Sequence, residues 1–325
     1  PFYRPILCMP GSFPAADRAR LTQAFRQMIT ERILPGYQKI ERFLKTEYIP
    51  HARKGYGYGS LPNGKAWYDF EIEQNTGLTM TARQIHNLGL KEVARITAEI
   101  DEIKTSQGFQ GTTPEYIRSL MNDPKNFFSN KTELIQAFKD VKAKIAAEVP
   151  KYFSTVPKGD YLVVENTNPE DAAASYRDPT ETSPVGRFLI NTQDMHGVPR
   201  FEVTTLSMHE AVPGHHFQLA LQFEMSDRLS FYQRKLFNST AFVEGWALYA
   251  EYLGREMGLY ADPMQRLGNL SDEMLRAVRL VVDTGIHALG WSRDQVIQYM
   301  QTHLASDRQA IESEADRYSS MPGQA

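Results

Sequence analysis

A mainly helical protein with a small β-sheet is what this sequence predicts, and three observations carry the expectation. Apolar residues recur at helical spacing over most of the chain, most continuously from Glu202 to the end. Two short runs, Tyr161–Glu165 and Arg187–Thr192, combine Val/Ile/Leu/Phe content with flanking turn residues, as strands do. There is no internal repeat, no low-complexity tract and no convincing linker. A single domain over 1–325 is therefore expected, with an N-terminal helical part (1–160) and a second part (161–325) that carries a cluster of histidines.

Taken in order, Pro1–Pro14 is Pro-rich and reads as loop. A helical pattern follows from Ala15 to about Lys45, with Leu21, Phe25, Met28, Ile29 and Ile33 near one face; Pro35-Gly36 should break or kink it. Residues 51–65 hold four glycines and Pro62 and form a loop. With Tyr56, Tyr58 and Trp67 nearby, that loop either is tethered at the surface or leans over a cleft. A strand is expected over Ala66–Ile72. Thr81 can cap a helix reaching Ser106, although Gly89 should delay its start. Helices are expected at Pro114–Asn122 and Lys131–Phe153. After Glu202 helices continue, with stops between Gly254 and Asp262 and at Gly290, and a restart capped by Ser292.

Composition narrows the partners. Hydrophobic residues are 42% and charged residues 23%, ordinary globular values that exclude a disordered chain or a fibre. Lys+Arg 36 against Asp+Glu 39 leaves −3, which gives no electrostatic reason to expect nucleic acid or an anionic membrane. Mean hydropathy is −0.45 and no stretch nears the roughly 20 apolar residues of a membrane span. A lone Cys8 rules out both an intrachain disulfide and a cysteine metal site. The chain starts at Pro1 without a signal-peptide pattern, so a processed end or an excised piece of something longer is expected.

The chemistry concentrates in Met208-His209-Glu210-Ala211-Val212-Pro213-Gly214-His215-His216-Phe217-Gln218. This resembles the zincin motif H-E-x-x-H with two extra residues before the second His. In the regular motif two His four apart lie about 40° round a helix and roughly 6 Å along it, close enough to share a metal. His209 and His215 are six apart, which on an unbroken helix means about 120° and roughly 9 Å. His216 returns to the same face but about 10 Å further along. Pro213-Gly214 sits between them and can make the break that folds either His215 or His216 back. The bland alternative is a helix–turn–helix with solvated histidines. Zincins take a third ligand from a following helix, in one branch a Glu. Glu244 lies in a run of apolar and small residues (Ser239 to Tyr249) where an unpaired carboxylate would be costly, and Glu251 stands two turns on.

A longer series then becomes specific: His209-Glu210, Pro213-Gly214-His215-His216, Gln218, Glu244-Gly245-Trp246-Ala247-Leu248-Tyr249, Arg279 to His287, Gly290-Trp291, Arg317-Tyr318 and Pro322-Gly323-Gln324-Ala325, together with Leu61-Pro62-Asn63-Gly64. The chain resembles the DUF885 family of bacterial proteins, many of them candidate lipoproteins, grouped with the Glu-zincin metallopeptidase clan. The resemblance implies a zincin-like metallopeptidase fold with a small edge sheet beside the metal helix. It also implies a longer parent polypeptide and a periplasmic or lipid-anchored setting. By the same resemblance, Zn²⁺ is held by His209, His215 (or His216) and Glu244, Glu210 is the general base, and a peptide is the substrate. His287, Tyr318 and Arg279 are candidate oxyanion donors, each with a packing or ion-pair role as the alternative. Phe188–Thr192 is a candidate for the edge strand that holds the substrate backbone, or an ordinary core strand. Two other functions fit the same residues: a non-catalytic protein binding peptides or cell-wall fragments, and a zinc hydrolase of non-peptide amides or esters.

Overall fold

The computed structural model describes residues 2–169, 171–180, 182–235 and 239–324. Pro1 and Ala325, which belong to the sequence expectations above, lie outside the described residues. The chain forms two compact units, Pro1–Lys54 and Gly55–Ala325.

The first unit holds α1 (Arg4–Leu7), α2 (Ala15–Met28), α3 (Leu34–Phe43) and α4 (Ile49–His51). Thus the expected opening loop contains a short helix. The expected break at Pro35-Gly36 does not occur. Instead two widened π-helical turns, Ile29–Ile33 and Leu44–Tyr48, join α2, α3 and α4. Across them the amides of Leu34 and Ile49 donate to the carbonyls of Ile29 and Leu44. Each widened turn ends two residues before a proline, Pro35 or Pro50. A proline ring clashes with the carbonyl four residues back, and a turn with one extra residue moves that carbonyl aside.

The second unit is organised around two long helices, α6 (Ala82–Ser106) and α13 (Pro263–His287). Thr81 and Gln84 cap α6 reciprocally, so it starts at full length and runs through Gly89. At that glycine the two helices pack tightly: a Cβ there would lie 2.8 Å from Val281 and 2.9 Å from Leu280 side-chain atoms. Val93, Ile96 and Ile100 of α6 share one buried cluster with Leu270, Met274, Val278 and Val281 of α13. Because this core joins residues before 160 to residues after it, the compact units divide at Lys54/Gly55 and not near 160.

Around this pair stand α5 (Gly64–Thr76), α7 (Thr113–Met121), α8 (Lys131–Glu148), α9 (Val203–Glu210), α10 (His215–Glu224), α11 (Phe231–Lys235), α12 (Thr240–Glu256), α14 (Arg293–His303) and α15 (Arg308–Ser320). The expected strand Ala66–Ile72 is part of α5. Its alternation of apolar and polar residues is real, but Tyr68 and Ile72, four apart, are the buried pair, while Trp67 and Phe70 are exposed. Residues 55–63 form the tethered loop. The Tyr58 amide donates to His287 Nδ1 (3.1 Å) and the Tyr56 hydroxyl to the Ala315 carbonyl (2.6 Å).

The sheet has three strands in the order β1 (Tyr161–Asn166), β3 (Gly186–Asn191), β2 (Ala174–Arg177). β1 runs parallel and β2 antiparallel to β3. Phe188 and Ile190 are buried with Leu134 and Phe138 of α8. Phe188–Thr192 therefore supplies the central strand and not an edge; the outer strand beside α9 and α10 is β2, which the sequence did not announce. Among the described residues no helix is long and apolar enough to cross a membrane.

Candidate metal centre

α9 ends at Glu210, and α10 starts afresh at His215. Between them Ala211 leaves helical geometry, the Val212–Pro213 peptide is cis, and Gly214 is neither helical nor extended, with φ −75° and ψ −131°. At Gly214 two backbones nearly touch: an added Cβ would sit 1.8 Å from the His209 carbonyl oxygen and 2.3 Å from that of Met208. Only glycine permits that approach, and the approach sets His215 against His209 with ring centroids 4.8 Å apart and planes at 85°.

α12 is tied to this break on both sides of Glu244. Trp246 Nε1 donates to the Pro213 carbonyl (2.7 Å), and Gln218 Nε2 of α10 donates to the Phe242 carbonyl (2.8 Å). Glu244 is thereby presented to both imidazoles: Oε2 lies 3.4 Å from His209 Nε2 and Oε1 3.7 Å from His215 Nε2. One ligand atom from each of His209, His215 and Glu244 falls within 4.8 Å of the others. Two imidazole nitrogens and a carboxylate are the donor set of a three-ligand zinc site that keeps positions for water or substrate, so the residues present fit that ion.

The surroundings orient these donors. His209 Nδ1–H donates to Glu251 Oε1 (2.7 Å), and Thr205 Oγ1 donates to Glu251 Oε2 (3.1 Å). Fixing the proton on Nδ1 leaves the Nε2 lone pair facing Glu244, the usual arrangement behind a metal-binding imidazole. Burial lowers the His209 pKa, but hydrogen bonds to Glu244 and Glu251 outweigh it and push it up to about 10. His215 goes the other way, to about 4, through burial and the neighbouring charge of His209. Among the described residues His215 Nδ1 is buried without a partner.

His216 is not at this centre. The Tyr176 hydroxyl donates to its Nδ1 (2.8 Å) and its Nε2–H donates to the Gly159 carbonyl (3.2 Å), so both nitrogens are used. Tyr176 has a second task, since its backbone amide donates to the carboxylate of Glu210. Even so, burial and the charge on Glu244 hold the Glu210 carboxyl above its ordinary range, whereas the hydrogen bond with His209 lowers Glu244. Two neighbouring carboxyls with pKa values pushed apart are a pattern of acid–base division of labour.

The other predicted residues lie elsewhere. His287 is fully buried; its Nδ1 accepts from the Tyr58 amide and its Nε2–H donates to the Tyr318 carbonyl (3.0 Å). The Tyr318 hydroxyl donates to Glu314 and accepts from Arg279 Nε (2.8 Å), and Arg279 also pairs with Glu314 (3.2 Å). Neither His287 nor Tyr318 lines the cavity of about 720 Å³ that adjoins Glu244; Arg279 does, with its guanidinium already engaged. Sequence reasoning missed Tyr176, whose strand is too short to stand out, and the ties made by Trp246 and Gln218. It did anticipate Glu251 as a neighbour of the ligands.

Residues 2–325 match the family described as "Bacterial protein of unknown function (DUF885)", and the chain belongs to it. The crystal structure of a candidate lipoprotein from Colwellia psychrerythraea is 32% identical with a TM-score of 0.86, covering 99% of this chain and 56% of its own. A candidate lipoprotein of unknown function from Shewanella oneidensis shares the fold at 19% identity and TM-score 0.70, with 99% and 60% covered. This chain thus spans less than two thirds of either solved structure. No curated protein matches it.

Proposed function

We propose that this member of the DUF885 family is a zinc-dependent peptidase of the Glu-zincin type, with a zincin-like arrangement of α9, α10, α12 and the outer strand β2. The observation that carries the reading is the convergence of His209, His215 and Glu244 within 4.8 Å, with Glu210 beside the first of them. Binding alone has no use for a half-buried carboxyl of raised pKa at that position.

His209, His215 and Glu244 would hold the ion through Nε2, Nε2 and the carboxylate. Bound zinc supplies a Lewis acid, which makes water a better nucleophile near neutral pH and a carbonyl more electrophilic. Glu210 takes a proton from the attacking water and returns it to the leaving nitrogen; its raised pKa brings it closer to working pH in both directions. Glu251 and Thr205 keep the His209 ring in one orientation and one tautomer. The outer strand β2 has an edge along which a peptide backbone can pair, next to the base it already hydrogen-bonds. In balance, the water oxygen bonds to the carbonyl carbon, the C–N pair goes to nitrogen, and the proton travels through Glu210.

The experiment is metal content by mass spectrometry with a peptide-library digest, run with and without chelator and after zinc add-back. Glu210→Gln should keep stoichiometric zinc and lose about 10²- to 10⁴-fold in turnover. Full hydrolysis by Glu210→Gln would remove the base assignment, and a digest insensitive to chelator would remove the peptidase reading.

A further inference from the structure

The cavity next to Glu244 is lined by four arginines: Arg255 from α12, Arg276 and Arg279 from α13, and Arg317 from α15. Three are engaged within the fold. Arg255 binds Asn269 and Glu273, while Arg279 and Arg317 share Glu314. Arg276 differs. Its nearest counter-charge is Asp272 Oδ1 at 4.0 Å, and among the described residues it makes no hydrogen bond. Its side chain is 27% exposed, so a guanidinium with five donors stands half withdrawn from water at a cavity wall. Donors in that state favour an anion, and the planar fork matches the two oxygens of a carboxylate.

Position adds the second half. Arg276 and Glu244 line the same cavity, so the guanidinium faces the space that Glu244 borders. The same cavity offers Leu78, Leu248, Ala277 and Leu280 as apolar wall. Its volume of about 720 Å³ suits a small ligand or the end of a chain.

We propose that this cavity takes the free C-terminal end of a peptide, with Arg276 binding the terminal carboxylate and the last peptide bond lying at His209, His215 and Glu244. The inference rests on the hydrolase reading and narrows it to a carboxypeptidase. Water adds to the carbonyl carbon of the penultimate residue, the C–N bond breaks, and the proton passed through Glu210 completes the free amine of the released amino acid.

The test measures binding apart from turnover. Zinc-loaded Glu210→Gln protein is titrated with three fluorescent peptides: a free acid, its C-terminal amide, and an amide whose last residue is Glu. The free acid should bind about 10- to 100-fold more tightly than either amide. Arg276→Gln should erase that difference with zinc content unchanged, and Arg276→Lys should restore part of it. In parallel the wild type should shorten the free acid from its C-terminus and leave the simple amide essentially intact. Equal binding of acid and amide, or unchanged discrimination in Arg276→Gln, overturns the inference. Tight binding of the Glu-ending amide overturns it too, because the carboxylate is then a side chain's. Hydrolysis without discrimination leaves the peptidase reading standing alone. Discrimination through Arg276 without hydrolysis of any peptide sinks that reading and the carboxypeptidase with it, and leaves only a carboxylate-binding pocket.

Discussion

Two buried histidine clusters lie in the same unit and are built to opposite plans. Around His287 the polar groups close on one another: Tyr58, His287, the Tyr318 backbone, the Tyr318 hydroxyl, Arg279 and Glu314 form a chain of donors and acceptors within the fold. Around His209 the network stops short. Glu251 and Thr205 support the ring from behind, but the front nitrogen, His215 and Glu244 face a shared point with 3.4–3.7 Å between them. The difference teaches that a titratable residue in a cavity-bearing region signals chemistry when its partners leave it incomplete, and signals packing when they do not.

The sharpest way to break the contrast is to truncate one histidine in each cluster. His209→Ala should abolish stoichiometric zinc uptake, read by calorimetry, and chelator should then no longer shift its melting temperature. His287→Ala should keep zinc affinity while losing about 2–4 kcal/mol of stability, because a buried ring and its two hydrogen bonds go together. Zinc loss in His287→Ala with the fold intact would erase the distinction. Next in size is Glu251→Gln, which keeps the shape but weakens the orientation of His209; zinc affinity should fall about 10- to 100-fold. Tyr318→Phe in the closed cluster should cost about 1–3 kcal/mol in denaturant titration, with zinc affinity unchanged.

The smallest effect is one of pH. Glu314 is held down to about 2 by Arg317, against the cost of burial and with help from Tyr318 and Arg279. A carboxyl lowered on folding contributes stability that is complete above the ordinary value of 4.5 and fades as pH falls toward 2. Melting temperature followed from pH 5 to pH 2.5 should therefore drop less steeply in Glu314→Gln than in the wild type. Parallel curves would show that Glu314 holds no such share.

How much of this could be read beforehand depends on what each residue's signal encodes. The break between His209 and His215 was legible because the insertion and the residues able to absorb it, Pro213 and Gly214, coincide in the text. Glu244 was legible because a carboxylate in an apolar run needs a partner. Ala66–Ile72 is helical and not a strand because the residues it buries, Tyr68 and Ile72, lie four apart, and that burial is not written in so short a run of aromatic and apolar residues. β2 escaped because Ala174–Arg177 is four residues with one strong strand former. His287, Tyr318 and Arg279 were assigned to chemistry by resemblance, and sequence cannot tell whether such groups find partners inside the fold. For the same reason the sequence, which offers Arg279 or Arg276 as a clamp for a terminal carboxylate, does not separate the two.

One strand residue has an effect larger than its length suggests. Tyr176 lends its amide to Glu210 and its ring oxygen to His216, while opposite Phe188 it is stitched into the sheet. A slip of β2 by a single position would turn that phenol to the other side and deprive both residues at once. The alignment of a four-residue edge strand is thus a set-screw for the Glu210 carboxyl, and hydrogen exchange at the Tyr176 amide would report, without any substrate, whether that carboxyl is seated.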